Sequence, residues 1–127
     1  MGPNLRASML AIAYLLCYSD ARAQSKACVL EGTFTFGEQS TVISDCVENK
    51  GVLDGDFRQL CDGMSQFTVV GQTFKAKITY LPACPANAQG VCERVFEMPL
   101  NAHYYNRDPK TLEDIKKSCL AQKSKWR

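Results

Sequence analysis

Apolar and polar residues alternate over residues 28–36, with mostly apolar side chains at the even positions and glutamate and threonine among the odd ones. This period of two is typical of a half-buried β-strand. A turn over 37–39 leads into a second, shorter strand over 40–47. We therefore predict a hairpin in which Cys28 and Cys46 are nearly cross-strand partners.

The clearest alternation covers residues 73–81, where aromatic and aliphatic side chains take one parity and lysines lie at the other. Residues 66–70 are also strand-like. The pair Gly71 and Gln72 between these two runs predicts a hairpin with a type II′ turn. Another strand is predicted over 91–98.

Two helices are predicted from their capping residues. The first would begin at Asp54 or Asp56 and end at Gly63. The polar segment 101–107 is predicted to be a loop, after which Asp108 and a proline supply the cap and first turn of the second helix. The order β-β-α-β-β-β-α predicts an α+β fold: a small antiparallel sheet of about five strands with one or two packed helices, stabilised by disulfides.

The N-terminus has the layout of a secretory signal. Arg6 gives a short positive region, residues 7–18 are mainly apolar, and an A-x-A motif ends at Ala23. We predict that residues 1–23 are a cleaved signal peptide and that residues 24–127 form a single exported domain, in a bacterial periplasm or outside the cell. The apolar run is too short to span a bilayer, which favours a cleaved signal over a retained membrane anchor. We therefore expect no transmembrane segment after cleavage.

The cysteine count agrees with export. The chain has seven cysteines, and Cys17 lies within the predicted signal. An even set in a small exported domain predicts three disulfides. We predict pairs Cys84–Cys92, which would staple a loop between two strands, Cys28–Cys46 and Cys61–Cys119. The sequence has no C-x-x-C pair and one histidine, so neither a structural zinc site nor a cofactor is expected. The six remaining cysteines are Cys28, Cys46, Cys61, Cys84, Cys92 and Cys119.

Charge is nearly balanced in the predicted mature chain, with thirteen basic and twelve acidic side chains. The C-terminal end is nevertheless basic. One interpretation is the end of a helix, where cations face water and favour the helix dipole. The other is a patch for an anionic partner such as lipid headgroups, nucleic acid or an acidic protein. The five residues concerned are Lys116, Lys117, Lys123, Lys125 and Arg127.

Segment 101–108 concentrates an imidazole, two phenols, two amides and a guanidinium. Such a loop can bind a partner through aromatic contacts and hydrogen bonds, although a plain connecting loop is the alternative. An enzymatic interpretation uses Glu97 as base, His103 as acid and Arg107 for phosphate, as in a ribonuclease-like hydrolase. The candidate binding residues are His103, Tyr104, Tyr105 and Arg107.

The sequence thus predicts a small exported binding module rather than an enzyme, because it carries few catalytic motifs. Its partner would be a protein or an envelope component, and an inhibitor or an immunity protein would be one form of such a module. Two alternatives remain at this point: a small secreted hydrolase using His103, and a structural envelope component with a basic C-terminal helix.

Overall fold

The computed structural model describes residues 26–69 and 71–127, so the predicted signal peptide lies outside the described residues. A six-stranded antiparallel sheet has the order β5-β1-β2-β7-β6-β8, and β3 and β4 form a separate two-stranded sheet. The predicted α+β class, with an antiparallel sheet, two helices and three disulfides, is confirmed. The elements are β1 (Ala27–Phe36), β2 (Gln39–Asn49), α1 (Asp54–Ser65), β3 (Gln66–Val69), β4 (Gln72–Lys75), β5 (Lys77–Leu81), β6 (Gly90–Glu93), a 3-10 turn (Val95–Glu97), β7 (Leu100–Tyr104), α2 (Pro109–Ala121) and β8 (Lys125–Trp126).

The predicted hairpin of β1 and β2 is present, with a two-residue turn between Phe36 and Gln39. Gly37 takes a φ of 61°, the left-handed conformation that such a turn requires. This turn fixes a register in which Cys28 lies opposite Val47 and Val29 lies opposite Cys46. Because neighbouring residues in a strand face opposite sides, Cys28 and Cys46 point to different faces of the sheet.

All three predicted disulfide pairings are wrong. The bonds are Cys28–Cys61, Cys46–Cys84 and Cys92–Cys119. The register of the β1–β2 hairpin explains why Cys28 cannot reach Cys46. Cys92 belongs to the core on the side of the sheet that carries the helices, whereas Cys84 packs against the small core on the other side, so these two cannot meet either.

The two helices pack on one face of the six-stranded sheet, called here the helix face. Helix α1 lies against β1 and β5, and α2 lies against β6 and β8. Buried Phe57 and Cys61 anchor α1, and Cys119 anchors α2. Within residues 26–69 and 71–127, no helix has the length and apolar character needed to cross a membrane.

The start of α2 is as predicted: Asp108 is the N-cap, its carboxylate accepts a hydrogen bond from Thr111 N at 2.9 Å, and proline follows. Helix α1 differs, since it starts without a side-chain cap and continues past Gly63 to Ser65. Gly63 keeps helical geometry there, and the Ser65 hydroxyl bonds the carbonyl of Asp62 at 2.6 Å.

Three predicted segments differ from the structure. The strand over 73–81 breaks at Ala76, whose N–H bonds Ser65 O, so β4 and β5 belong to different sheets. The strand over 91–98 stops at Glu93, because the backbone of the next residue, Arg94, is left-handed. Segment 101–107 is mostly strand β7, which lies inside the sheet between β2 and β6; its polar side chains alternate with apolar ones.

Three of the five basic C-terminal residues lie beyond the second helix. Helix α2 ends at Ala121, and Lys123 takes a φ of 61° as the chain reverses. The last residues return as β8, an edge strand paired with β6. Lys125 and Arg127 therefore lie at the edge of the sheet rather than on a helix.

Candidate functional site

The four predicted binding residues lie in or just after β7 but belong to two faces of the sheet. Tyr104 joins the core on the helix face, and Arg107 bonds Asp45 there. His103, the preceding residue in the strand, points to the opposite face. Tyr105 packs into the small core on that opposite face. The structure therefore does not bring the four side chains into a single surface.

His103 is enclosed, with 12% of its side chain exposed. Its Nε2 atom lies 3.6 Å from Glu48 Oε1 and has no hydrogen-bond partner within the described part of the chain. Burial lowers the pKa of His103 more than the Glu48 carboxylate raises it, so the imidazole is neutral near pH 7. Arg107 lies on the other face, so the structure does not assemble the predicted set of Glu97, His103 and Arg107.

Tyr105 and the backbone of Arg107 hold the loop before β6. The Tyr105 hydroxyl donates a hydrogen bond to Pro85 O at 2.6 Å. The amide group of Gln89 bonds both the N–H and the carbonyl of Arg107, at 2.8 and 3.0 Å. These contacts give both residues a structural role beside the predicted binding role.

The Arg107 guanidinium forms an ion pair with Asp45. Its Nη2 atom lies 2.8 Å from both carboxylate oxygens, and the two side chains are only 10% and 20% exposed. Burial raises the pKa of Asp45 more than Arg107 lowers it. The guanidinium therefore offsets much of the cost of enclosing a carboxylate at this place.

A cleft of about 230 Å³ lies on the helix face between α1 and α2. Helices α1 and α2 lie towards opposite edges of the sheet, so the cleft between them lies over β2 and β7, whose buried Val47 and Ala102 form part of its lining. Most of its lining is apolar, and Asp45, the partner of Arg107, is the one charged residue among the described residues of that lining. Its floor and walls include Leu30, Val47, Ala102, Tyr104, Met64 of α1 and Ile115 of α2.

The turn after β6 shapes the rim of this cleft. Arg94, Phe96 and Glu97 all have a φ between 56° and 60°, a left-handed conformation that costs energy in residues other than glycine. Asn101 Oδ1 accepts a hydrogen bond from Arg94 N at 3.2 Å, and the Ser124 hydroxyl donates to Arg94 O at 3.1 Å. The turn presents Phe96 to solvent, with 61% exposure, and the same residue contributes to the lining of the cleft.

A second depression, of about 400 Å³, adjoins the same turn. Three cations line it, namely Arg94, Lys123 and Lys125, together with Glu93 and Glu97. We call this depression the basic pocket. Two of the basic C-terminal residues from the sequence thus come to one place. Arg127 instead binds Glu93 (Nε to Oε1, 2.7 Å), and Lys116 and Lys117 remain on α2.

A larger polar depression of about 440 Å³ lies beside the start of α1. It is lined by charges of both signs, including Lys50 and Glu48, which approach to 3.7 Å. Within the part of the chain that the structure describes, its two cations and two carboxylates balance each other in charge. The apolar cleft with its exposed aromatic ring is the more specific feature.

Sequence reasoning missed the cleft because its floor forms only when β2 pairs with β7, strands far apart in the chain. One available signal was the apolar alternation of Leu100, Ala102 and Tyr104 through a segment judged polar. Comparison of the chain with protein-family models, curated proteins and solved structures finds no match.

Proposed function

We propose that the domain is an exported, non-catalytic binding module that receives an apolar group of its partner in the cleft between α1 and α2. The partner is a protein or an envelope component. The observation that carries this proposal is Phe96: an exposed aromatic ring, fixed by an unfavourable backbone conformation, at the mouth of an apolar cleft. Unfavourable backbone conformations concentrate at functional sites, and aromatic residues are frequent anchors of binding surfaces.

The three disulfides support the exported part of the proposal. Such bonds persist in oxidising compartments such as the periplasm and the extracellular space. They also tie the cleft together, because Cys28–Cys61 fixes α1 to β1 and Cys92–Cys119 fixes α2 to β6. A cleft with both walls cross-linked to its floor is largely preorganised, which reduces the entropy cost of binding.

The two alternative functions have weaker support. A hydrolase would need His103 to exchange protons with a substrate, yet its Nε2 atom is buried beside Glu48. A membrane-lying basic helix would need its cations on α2, whereas only Lys116 and Lys117 of the five lie there and Lys123, Lys125 and Arg127 follow the helix.

A neutral apolar dye, N-phenyl-1-naphthylamine, tests the proposal, because its emission increases in apolar sites. We expect one dye molecule to bind per protein and Phe96→Ala to weaken binding roughly tenfold. Full burial of an apolar side chain contributes about 1.5–3 kcal/mol, and the 61% exposure of Phe96 favours the lower end of that range. Alanine is preferred to glycine because it retains the backbone constraint of the left-handed turn.

The matched control is Leu53→Ala, which removes a side chain that is 76% exposed and lies before α1, outside the cleft lining. This variant should bind the dye as the parent does. Equal weakening in both variants, or none in either, would contradict the proposal. Urea unfolding of each variant separates loss of binding from loss of folding.

A further inference from the structure

The cleft and the basic pocket share a wall. Along the turn after β6, Val95 and Phe96 line the cleft, while Arg94 and Glu97 line the basic pocket. The end of α2 continues this division, since Gln122 lines the cleft and the next residue, Lys123, lines the pocket. The apolar cleft and the basic pocket therefore meet at one rim.

The basic pocket carries excess positive charge. Glu93 binds the Arg127 guanidinium at 2.7 Å, which leaves Glu97 to oppose the three cations that line the pocket. The Nη2 atom of Arg94 lies 3.5 Å from the carbonyl of Glu97, which keeps the guanidinium at this turn. The local field therefore favours an anion beside the mouth of the cleft.

The described lining of the cleft itself carries no excess charge. The one charged residue that the structure describes in this lining is Asp45, and Arg107 balances that charge with Nη2 at 2.8 Å from both carboxylate oxygens. Val47, Ala102 and Tyr104 form the floor of the cleft. An apolar chain fits this floor, whereas a charged group would lose its water without gaining an opposite charge.

We propose that the cleft binds a single-chain anionic amphiphile, with its apolar chain over β2 and β7 and its carboxylate or phosphate head at Lys123, Lys125 and Arg94. This inference rests on the proposed function, in which the cleft takes an apolar group. A cleft of about 230 Å³, between two helices that are each cross-linked to the sheet, admits one chain, so the ligand is a dispersed amphiphile rather than a membrane surface.

Trp126 makes the binding measurable, because it is the only tryptophan of the chain and stacks on Tyr104 at 5.9 Å between ring centres. Decanoate, 1-decanol and decyltrimethylammonium, each below its aggregation limit, are titrated while the tryptophan emission is followed. We expect decanoate to bind roughly fivefold to tenfold more tightly than decanol, from two or three exposed ion pairs. The cation should bind most weakly, and salt should reduce the preference.

Two double variants locate the head group. Lys123→Gln with Lys125→Gln should reduce the preference for decanoate to about twofold or less and leave decanol binding unchanged. The matched control, Lys116→Gln with Lys117→Gln, removes the same charge from α2 and should keep the preference.

The possible outcomes separate this inference from the proposed function. Equal binding of all three chains overturns the anionic preference but leaves an apolar cleft. Failure of every chain to bind contradicts the proposed function itself. Binding to phosphatidylglycerol vesicles without binding of dispersed decanoate overturns the inference in favour of surface adsorption. An equal loss of the preference for decanoate in the two double lysine variants overturns the assignment of the head group to the basic pocket.

Discussion

Replacing Arg107 with methionine removes the cation from a nearly buried ion pair while keeping an unbranched side chain. The Asp45 carboxylate, 20% exposed in the lining of the cleft, then lies on the helix face without its partner. Breaking a buried pair from one side costs about 3–5 kcal/mol, and the partial exposure of Asp45 favours the lower end. We expect a loss of about 3 kcal/mol, which lowers Tm by roughly 12–24 °C in a domain of this size.

The pH dependence of this loss has a definite sign. Burial already raises the pKa of Asp45 above 3.8, and removing Arg107 raises it further. A carboxyl with a raised pKa binds its proton more tightly in the folded state, so its contribution to stability falls as pH rises from 3.8 through the folded pKa. The variant should therefore be most destabilised near neutral pH and much less so in acid, where Asp45 is protonated in both proteins.

Urea unfolding with the disulfides intact measures this effect at neutral pH and near pH 3. The double variant Asp45→Asn with Arg107→Met removes both charges and should recover most of the lost stability. A loss below about 0.5 kcal/mol, the range of ordinary surface substitutions, would refute the assignment of Asp45 and Arg107 as a buried pair. So would a loss that is independent of pH.

Three further changes test other parts of the structure. Burial lowers the pKa of His103 below 6.5 in the folded protein, so the free energy of unfolding should fall as pH decreases through 6.5 towards the folded pKa. His103→Gln should remove that fall in urea unfolding, and an unchanged pH profile of the variant would contradict this role of His103. Gly90→Ala would push the new Cβ into the indole ring of the single tryptophan, so it should lower the free energy of unfolding by about 1–3 kcal/mol and shift the tryptophan emission. Its control is Gly63→Ala, in open space on α1, which should raise the free energy of unfolding by up to about 1 kcal/mol. Replacing Cys92 and Cys119 together with alanine opens a loop of 27 residues and should cost about 3.5 kcal/mol in thermal or urea unfolding, and a change below about 1 kcal/mol would contradict the pairing.

Local features of the fold were predictable because they depend on neighbouring residues. The alternation in β1, the turn at Gly37 and the Asp108 cap each involve a few consecutive positions. The disulfide pairs were not predictable in this way, because a one-residue change of register decides which face a cysteine takes. The register that separates Cys28 from Cys46 follows from the exact length of a turn.

The candidate site depends still more on distant contacts. The polar residues of β7 indicated a loop, but Asn101 and His103 face the side of the sheet without helices, where polar side chains are compatible with a strand. The cleft requires β2 beside β7 and the two helices at opposite edges of the sheet. The left-handed turn at Phe96 gave no sequence signal, because no glycine marks it.

Methyl-selective NMR of the domain with 1-decanol determines whether an apolar chain lies in the cleft. A neutral chain avoids the charge preference, and intermolecular contacts identify the methyl groups that touch it. We expect contacts centred on Leu30, Val47 and Ile115, which line the cleft on three different elements. Contacts centred instead on Leu53 or Val42, exposed apolar residues outside the cleft lining, would contradict this expectation.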